Sequence, residues 1–169
     1  MKTLIIHPKD STTKFLEEIY SDKDWTISDA NCSKSTLKAL IKEHDRIIML
    51  GHGTQNGLLG YNRLVIGSNW VYLLREKMCV CIWCNADIFF KKYNIKCFYT
   101  GMIISEIEEA INFSFYPTTN DQLIESNILF SNAIKLSIDS TNMLDEVLKN
   151  YIGDNHIIDF NRNNVYYRQ

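Results

Sequence analysis

Arg46-Ile47-Ile48-Met49-Leu50-Gly51-His52-Gly53 and Met78-Cys79-Val80-Cys81-Ile82-Trp83-Cys84 are the two stretches that decide the fold. Neither alternates apolar with polar, so each reads as a central strand of a parallel sheet, buried on both faces. Each ends abruptly in a reactive side chain, His52 in one and Cys84 in the other. In open α/β sheets, ligands and chemistry collect beyond the carboxyl ends of the strands. These two residues occupy that place.

Further strand and helix patterns alternate around the pair. Leu4-Ile5-Ile6, stopped by Pro8, reads as a first strand, and Trp25-Thr26-Ile27 as a short second one. Ser11 or Thr12 can cap a helix carrying Phe15, Leu16 and Ile19, and Ser33 or Ser35 opens one with Leu37, Leu40 and Ile41 on a single face. Gly57 to Gly67 reads as a small β-hairpin, and Ser68 or Asn69 caps a helix running to about Lys77. Asn85-Ala86-Asp87 begins the helix after Cys84, and Ile95 to Thr100 is a fifth strand. Ser105-Glu106-Ile107-Glu108 has the form of a capping box. One or two helices fill the region from about 119 to 151, and Ile157-Ile158-Asp159-Phe160 is the candidate sixth strand. The alternation predicts one domain over residues 1–169, an α/β three-layer sandwich with a mostly parallel sheet of about six strands.

Composition narrows the function. The chain has 169 residues, 46% apolar and 22% charged, the balance of a globular domain able to bury a core. A net charge of −2 supplies no basic field for phosphates, so nucleic acid is not an expected partner. No apolar run reaches the roughly 18 residues of a membrane span, and the first residues lack a signal-peptide core, so a cytoplasmic protein without a membrane partner is expected. Five cysteines, an odd number with three in one apolar run, suit reduced thiols better than a disulfide framework.

A cysteine nucleophile needs a thiolate or a nearby base, and imidazole is the usual base. If the two decisive strands are neighbours, His52 and Cys84 open onto the same sheet edge. The helix starting after Cys84 is expected to lower the thiol's pKa through its dipole. Gly53 admits close approach of a substrate carbonyl, and its N–H with that of Cys84 forms a candidate oxyanion hole. Cys79 and Cys81 point to one face of a strand and Cys84 to the other, so the three do not converge on a metal. Gly51-x-Gly53-x-x-x-Gly57 follows the third strand and opens a hairpin, where a dinucleotide loop should follow the first and open a helix.

A strand ending in His-Gly, then a hairpin, a helix and an apolar strand ending in Cys resembles the caspase-like cysteine peptidases, the group of caspases, legumains, clostripain, gingipains and separases. The likeness covers about residues 1–110. It implies a cysteine endopeptidase working through an acyl-enzyme, with His52 and Cys84 catalytic, no cofactor or metal, a peptide or protein substrate, and a homodimer formed through an edge strand. Caspases read Gln-Ala-Cys-x-Gly at the nucleophile, with the histidine about 50 residues upstream. Here the motif is Ile82-Trp83-Cys84-Asn85-Ala86, the spacing is shorter, and no Asp-specific pocket is implied. In several relatives the region after the fifth strand lines the pocket for the residue before the cut, which makes Ser105 and Glu106 candidate substrate-binding residues. Glu106 would favour Arg or Lys, and Asp87 is a third candidate through its nearness to Cys84. Trp83 and the short spacing motivate an alternative, a catalytically inactive binding or regulatory module of the same fold. A flavodoxin- or Rossmann-like nucleotide binder is the third reading. His7 is expected at the surface of the same edge.

Overall fold

The structure is a computed structural model that describes residues 1–168. In chain order it runs β1 (Thr3–Ile6), a 3-10 helix (Lys14–Tyr20), β2 (Thr26–Ser28), α1 (Lys34–Glu43) and β3 (Arg46–Leu50). β4 (Gly53–Thr54), β5 (Gly57–Gly60), β6 (Arg63–Ile66), a 3-10 turn (Ser68–Trp70) and α2 (Val71–Leu74) follow. Then come β7 (Met78–Ile82), α3 (Ala86–Tyr93), β8 (Cys97–Thr100), α4 (Ile107–Asn112), α5 (Asn120–Ser137), α6 (Met143–Asn150), α7 (His156–Arg162) and β9 (Val165–Arg168).

The main sheet has six strands in the order β2-β1-β3-β7-β8-β9, all parallel except β9, which runs antiparallel to β8. Helices cover both faces, so the expected α/β three-layer sandwich is the fold. Strand order turns back between β1 and β3, because β2 lies outside β1 on one side and the remaining strands extend on the other. Clefts of such sheets open at that switch point, beyond the carboxyl ends. The expected hairpin is there as the antiparallel sheet β4-β5-β6, an excursion between β3 and α2.

Period-two alternation sorts the strand residues into two cores. Leu4, Ile6, Ile47, Met49, Cys79, Cys81, Cys97 and Tyr99 pack against Leu37 and Ile41 of α1 and Phe89 and Phe90 of α3. Ile5, Ile48, Leu50, Val80, Ile82 and Phe98 pack against Leu16 and Ile19 of the first 3-10 helix and Phe130, Ile134, Val147 and Ile158 of the later helices. Side chains such as Ile48, with no exposed surface, each contribute about 1.5–3 kcal/mol by burial. β3 and β7 are buried almost throughout, in agreement with their non-alternating sequences.

Four local expectations are corrected. Residues 157–160 are not a strand but lie within α7, because the Asn155 side chain accepts the N–H groups of Ile157 and Ile158 at 3.0 and 3.1 Å and caps a helix there. The sixth strand is β9, whose Val165-Tyr166-Tyr167 run pairs with β8 from Thr100↔Val165 to Cys97↔Arg168. The helix after β1 is 3-10, with Thr13 rather than Ser11 or Thr12 at its N-cap and no side-chain cap bond, since the Thr13 hydroxyl is engaged with His7 and the Asp10 carbonyl. The helix after the hairpin is short, a 3-10 turn plus α2 ending at Leu74.

Among the described residues all five cysteines are free thiols, with Cys79, Cys81 and Cys97 buried. No group of His, Cys, Asp or Glu among the described residues has an arrangement able to hold a metal ion. No helix among them is long and apolar enough to cross a membrane.

Candidate active site

β3 and β7 are direct neighbours, in register from Arg46↔Met78 to Leu50↔Ile82. The Gly51 N–H continues the ladder to the Ile82 carbonyl at 3.1 Å. His52 and Cys84 each stand two residues past the last matched pair, at the same height on adjacent strands. Gly51 has φ +136°, a backbone state that side chains rarely adopt, and this turns the chain out of the sheet at His52. On the other strand Asn85, in the left-handed region, turns the chain into α3 immediately after Cys84. The two side chains line one small cleft together with Thr13, Phe15, Leu16, Ile103, Ser105, Glu109 and Phe130. Its free volume of about 20 Å³ is room for one water.

Each of the pair has its own partner. His52 Nε2 lies 2.6 Å from the Thr12 hydroxyl, which donates to Asp10 Oδ1 at 2.7 Å. The Thr12 N–H donates to the same oxygen at 2.9 Å. A carboxylate only accepts, so the single Thr12 hydroxyl proton goes to Asp10. The hydroxyl must then accept from His52, which assigns a proton to Nε2 and leaves Nδ1 as the free base of the neutral ring. The Thr12 hydroxyl and amide hold the Asp10 carboxyl below its usual pKa, with smaller help from His52 and His7. The sequence reading missed Asp10 and Thr12; a short polar run after a first strand, at the edge where a histidine also emerges, is the signal that could have found them.

The Cys84 thiol is half-buried and donates to the Ile103 carbonyl at 3.6 Å and to Glu109 Oε1 at 4.0 Å. Burial, then the Glu109 carboxylate, push its pKa up to about 11. The helix-dipole expectation of a lowered thiol pKa is therefore corrected: desolvation and a facing carboxylate outweigh the amino end of the short helix α3. The Cys84 N–H makes no hydrogen bond among the described residues. Gly53 faces Leu58 in the β4–β5 ladder, and the neighbouring Leu59 N–H bonds to the His52 carbonyl. In that antiparallel register the Gly53 N–H points away from β5, so both candidate oxyanion donors are unengaged by the ladder. Trp83 packs directly against Gly53: a Cβ there would meet Trp83 Cδ1 at 2.1 Å. The indole N–H is held by the Thr54 carbonyl at 3.2 Å, so Trp83 is buried structure beneath the site rather than an obstruction within it.

The expected substrate-binding residues divide. Ser105 lines the cleft. Asp87 does not; it sits in the first turn of α3 and pairs with Lys91 at 2.9 Å. Glu106 is the N-cap of α4, so the capping box is Glu106 with Glu109, one residue later than the Ser105–Glu108 box the sequence suggested. Glu109 Oε2 accepts the N–H groups of Ser105 and Glu106 at 2.8 and 3.2 Å, while its other oxygen faces the thiol. Glu109 is thus the carboxylate that the fold brings to Cys84, and the Glu-x-x-Glu spacing was its signature. Glu106 adds a weaker repulsion on the thiol, and its Oε1 is buried without a hydrogen-bond partner.

His7 is not at the surface as expected. It is buried, with Nδ1 2.9 Å from the Tyr20 hydroxyl and Nε2 3.2 Å from Thr13 Oγ1. Burial pushes its pKa down to about 4, against a weaker opposing pull from Asp10. It braces the segment that carries Asp10 and Thr12. His44 bonds to the Leu40 carbonyl and Thr26, and His156 to Thr118, so both are structural.

Compared with protein-family models, curated proteins and solved structures, the chain matches none of them.

Proposed function

We propose that the protein is a caspase-like cysteine endopeptidase with His52 and Cys84 as its catalytic pair. The observation that carries the reading is their placement: equal height on adjacent parallel strands, over one cleft at the carboxyl edge of the sheet. Cys84 Sγ adds to the scissile carbonyl, and His52 Nδ1 takes the thiol proton and returns it to the leaving amine. The imidazolium that forms is stabilised through Nε2–H by Thr12 and ionised Asp10. The free Cys84 N–H and the outward Gly53 N–H hold the oxyanion. Water then attacks the acyl-enzyme with His52 as base. Glu109 beside the thiol and the unpartnered Glu106 oxygen favour a cationic residue, Arg or Lys, before the cut. A peptide has to move Phe15, Ile103 and Phe130 apart to enter, and in doing so takes Cys84 off the Ile103 carbonyl.

A second reading, an inactive binding module on this fold, draws on the thiol's raised pKa and on the turn of His52 toward Thr12. Intact-mass spectrometry separates the two. Wild type, Cys84→Ala and His52→Ala are treated with peptidyl electrophiles ending in Arg, Lys, Asp or Asn. The peptidase reading expects one adduct from the Arg or Lys reagent, absent in Cys84→Ala and slowed in His52→Ala. No adduct on folded protein, or one that survives in Cys84→Ala, defeats it.

A further inference from the structure

At the opposite end of the same strands lies a much larger cavity, of about 620 Å³, the size of small-molecule sites. It sits between the amino ends of β3, β7 and β8 and the connection from α5 to α6. Its apolar floor is Val80, Phe98, Ile138 and Met143, with Met78 and Tyr167 at the mouth. Four cations line it, Arg46, Arg75, Lys77 and Lys96, against two carboxylates, Asp45 and Glu76. Asp45 is already engaged by the Lys2 N–H at 2.8 Å.

Arg46 is the unusual member. It is 4% exposed, yet it stands at the first position of a central strand. Nε donates to Thr3 Oγ1 at 3.1 Å, and Nη1 donates to the Ile138 carbonyl and to Asp139 at 3.1 and 2.7 Å. The guanidinium plane lies over the Trp25 ring at 4.7 Å. Nη2 has no hydrogen-bond partner among the described residues and is not occluded, and the cavity is the open space that Arg46 lines. A guanidinium fixed through Nε and Nη1, with Nη2 free, has one nitrogen left to donate to a carboxylate or a similar oxyanion. Asp139, the carboxylate paired with Arg46, is mostly exposed and is shared with Lys23 at 3.6 Å.

We propose that this cavity binds an amphipathic organic anion, with its anionic head on Arg46 and Lys96 and its apolar body over Val80, Phe98 and Met143. The site is independent of the peptidase reading. Arg75 donates to the Tyr93 carbonyl and Lys77 to those of Lys42 and His44, which leaves Arg46 and Lys96 over the apolar floor; one small ligand suits two cations better than an extended acidic peptide does.

The test is fluorescence titration of the full chain with 1-anilinonaphthalene-8-sulfonate, alongside the neutral N-phenyl-1-naphthylamine. Expected are one saturable sulfonate site per chain, displacement by decanoate but not decanol, and clearly weaker binding of the neutral dye. Lys96→Glu, at an exposed position, weakens the sulfonate about tenfold, the worth of one charge-assisted contact. Met78→Trp, which narrows the exposed mouth, weakens both dyes. Arg46→Gln removes decanoate displacement, and its melting curve reports whether it is folded; if it is not, the Lys96 and Met78 variants decide. Equal affinity for the two dyes, or unchanged binding in both Lys96→Glu and Met78→Trp, overturns the proposal. Absence of saturable binding to folded wild type does so as well.

Discussion

At the carboxyl ends of β3 and β7, His52 and Cys84 stand over a cleft of about 20 Å³; at the amino ends of the same two strands, Arg46 and Met78 open into about 620 Å³. The small space has a base, a thiol, two free N–H groups and a carboxylate. The large one has cations over an apolar floor. Strand direction explains part of the contrast. Chain turns cluster where parallel strands end, and there backbone N–H groups and short polar side chains reach a common point. At the amino ends the sheet meets the α5–α6 connection loosely, and the long side chains of Arg and Lys line the gap. The volume of a cavity says little about its chemistry.

The comparison breaks first if the carboxyl edge is inert. Cys84→Ala is expected to lower hydrolysis of an Arg- or Lys-directed peptide by about 10³-fold or more, read as initial rate on folded protein. An unchanged rate removes the contrast between a reactive end and a receptive end.

Acid should loosen the carboxyl end before the amino end. His7 titrates near 4 in the fold and near 6.5 when unfolded, so below about 6.5 the unfolded chain binds the extra proton. The stability His7 contributes as a neutral ring is complete above pH 6.5, falls as pH drops, and is gone below about 4. The loss is about 3 kcal/mol, visible as a lower urea midpoint at pH 4 than at pH 7. His7→Asn should flatten that dependence.

Gly53→Ala forces a methyl into the Trp83 ring and is expected to cost about 1–3 kcal/mol, seen as a lower melting temperature. Thr12→Val cuts the link from His52 to Asp10. It should slow acylation about tenfold with little change in KM, since general base catalysis depends on the tautomer this link holds. The smallest effect is expected from Glu109→Gln, which keeps an acceptor for Ser105 and Glu106 but removes the charge facing the thiol. Iodoacetamide should label Cys84 a few-fold faster at pH 8 in that variant, while wild-type labelling keeps rising beyond pH 10. Equal rates would mean that burial alone sets the thiol's pKa.

Much of the fold was legible because central parallel strands carry non-alternating apolar runs, and Ile47–Leu50 and Cys79–Ile82 are short runs of that kind, each followed by a turn. The sequence left the neighbouring of the strands that carry His52 and Cys84 as a condition, and the β3–β7 pairing meets it. Residues 157–160 misled because two isoleucines and a phenylalanine fit a strand or a helix equally well, and the Asn155 cap decided for the helix. The sequence singles out Glu106 and not Glu109, because spacing along a loop does not say which carboxylate turns inward. His7 looked exposed beside Pro8, yet the 3-10 helix folds Thr13 and Tyr20 over it.

The sequence by itself determined the sandwich, the two buried central strands and the histidine or cysteine just past the end of each, because local patterning and strand termini are written residue by residue. Only the tertiary structure decided that Thr12 and Asp10 take the far nitrogen of His52, that Glu109 faces the thiol, and that Arg46 lines a cavity with one nitrogen left without a partner. Those pairings join residues distant in the chain. Their energies depend on burial and on hydrogen-bond direction, and both exist only once the layers have packed.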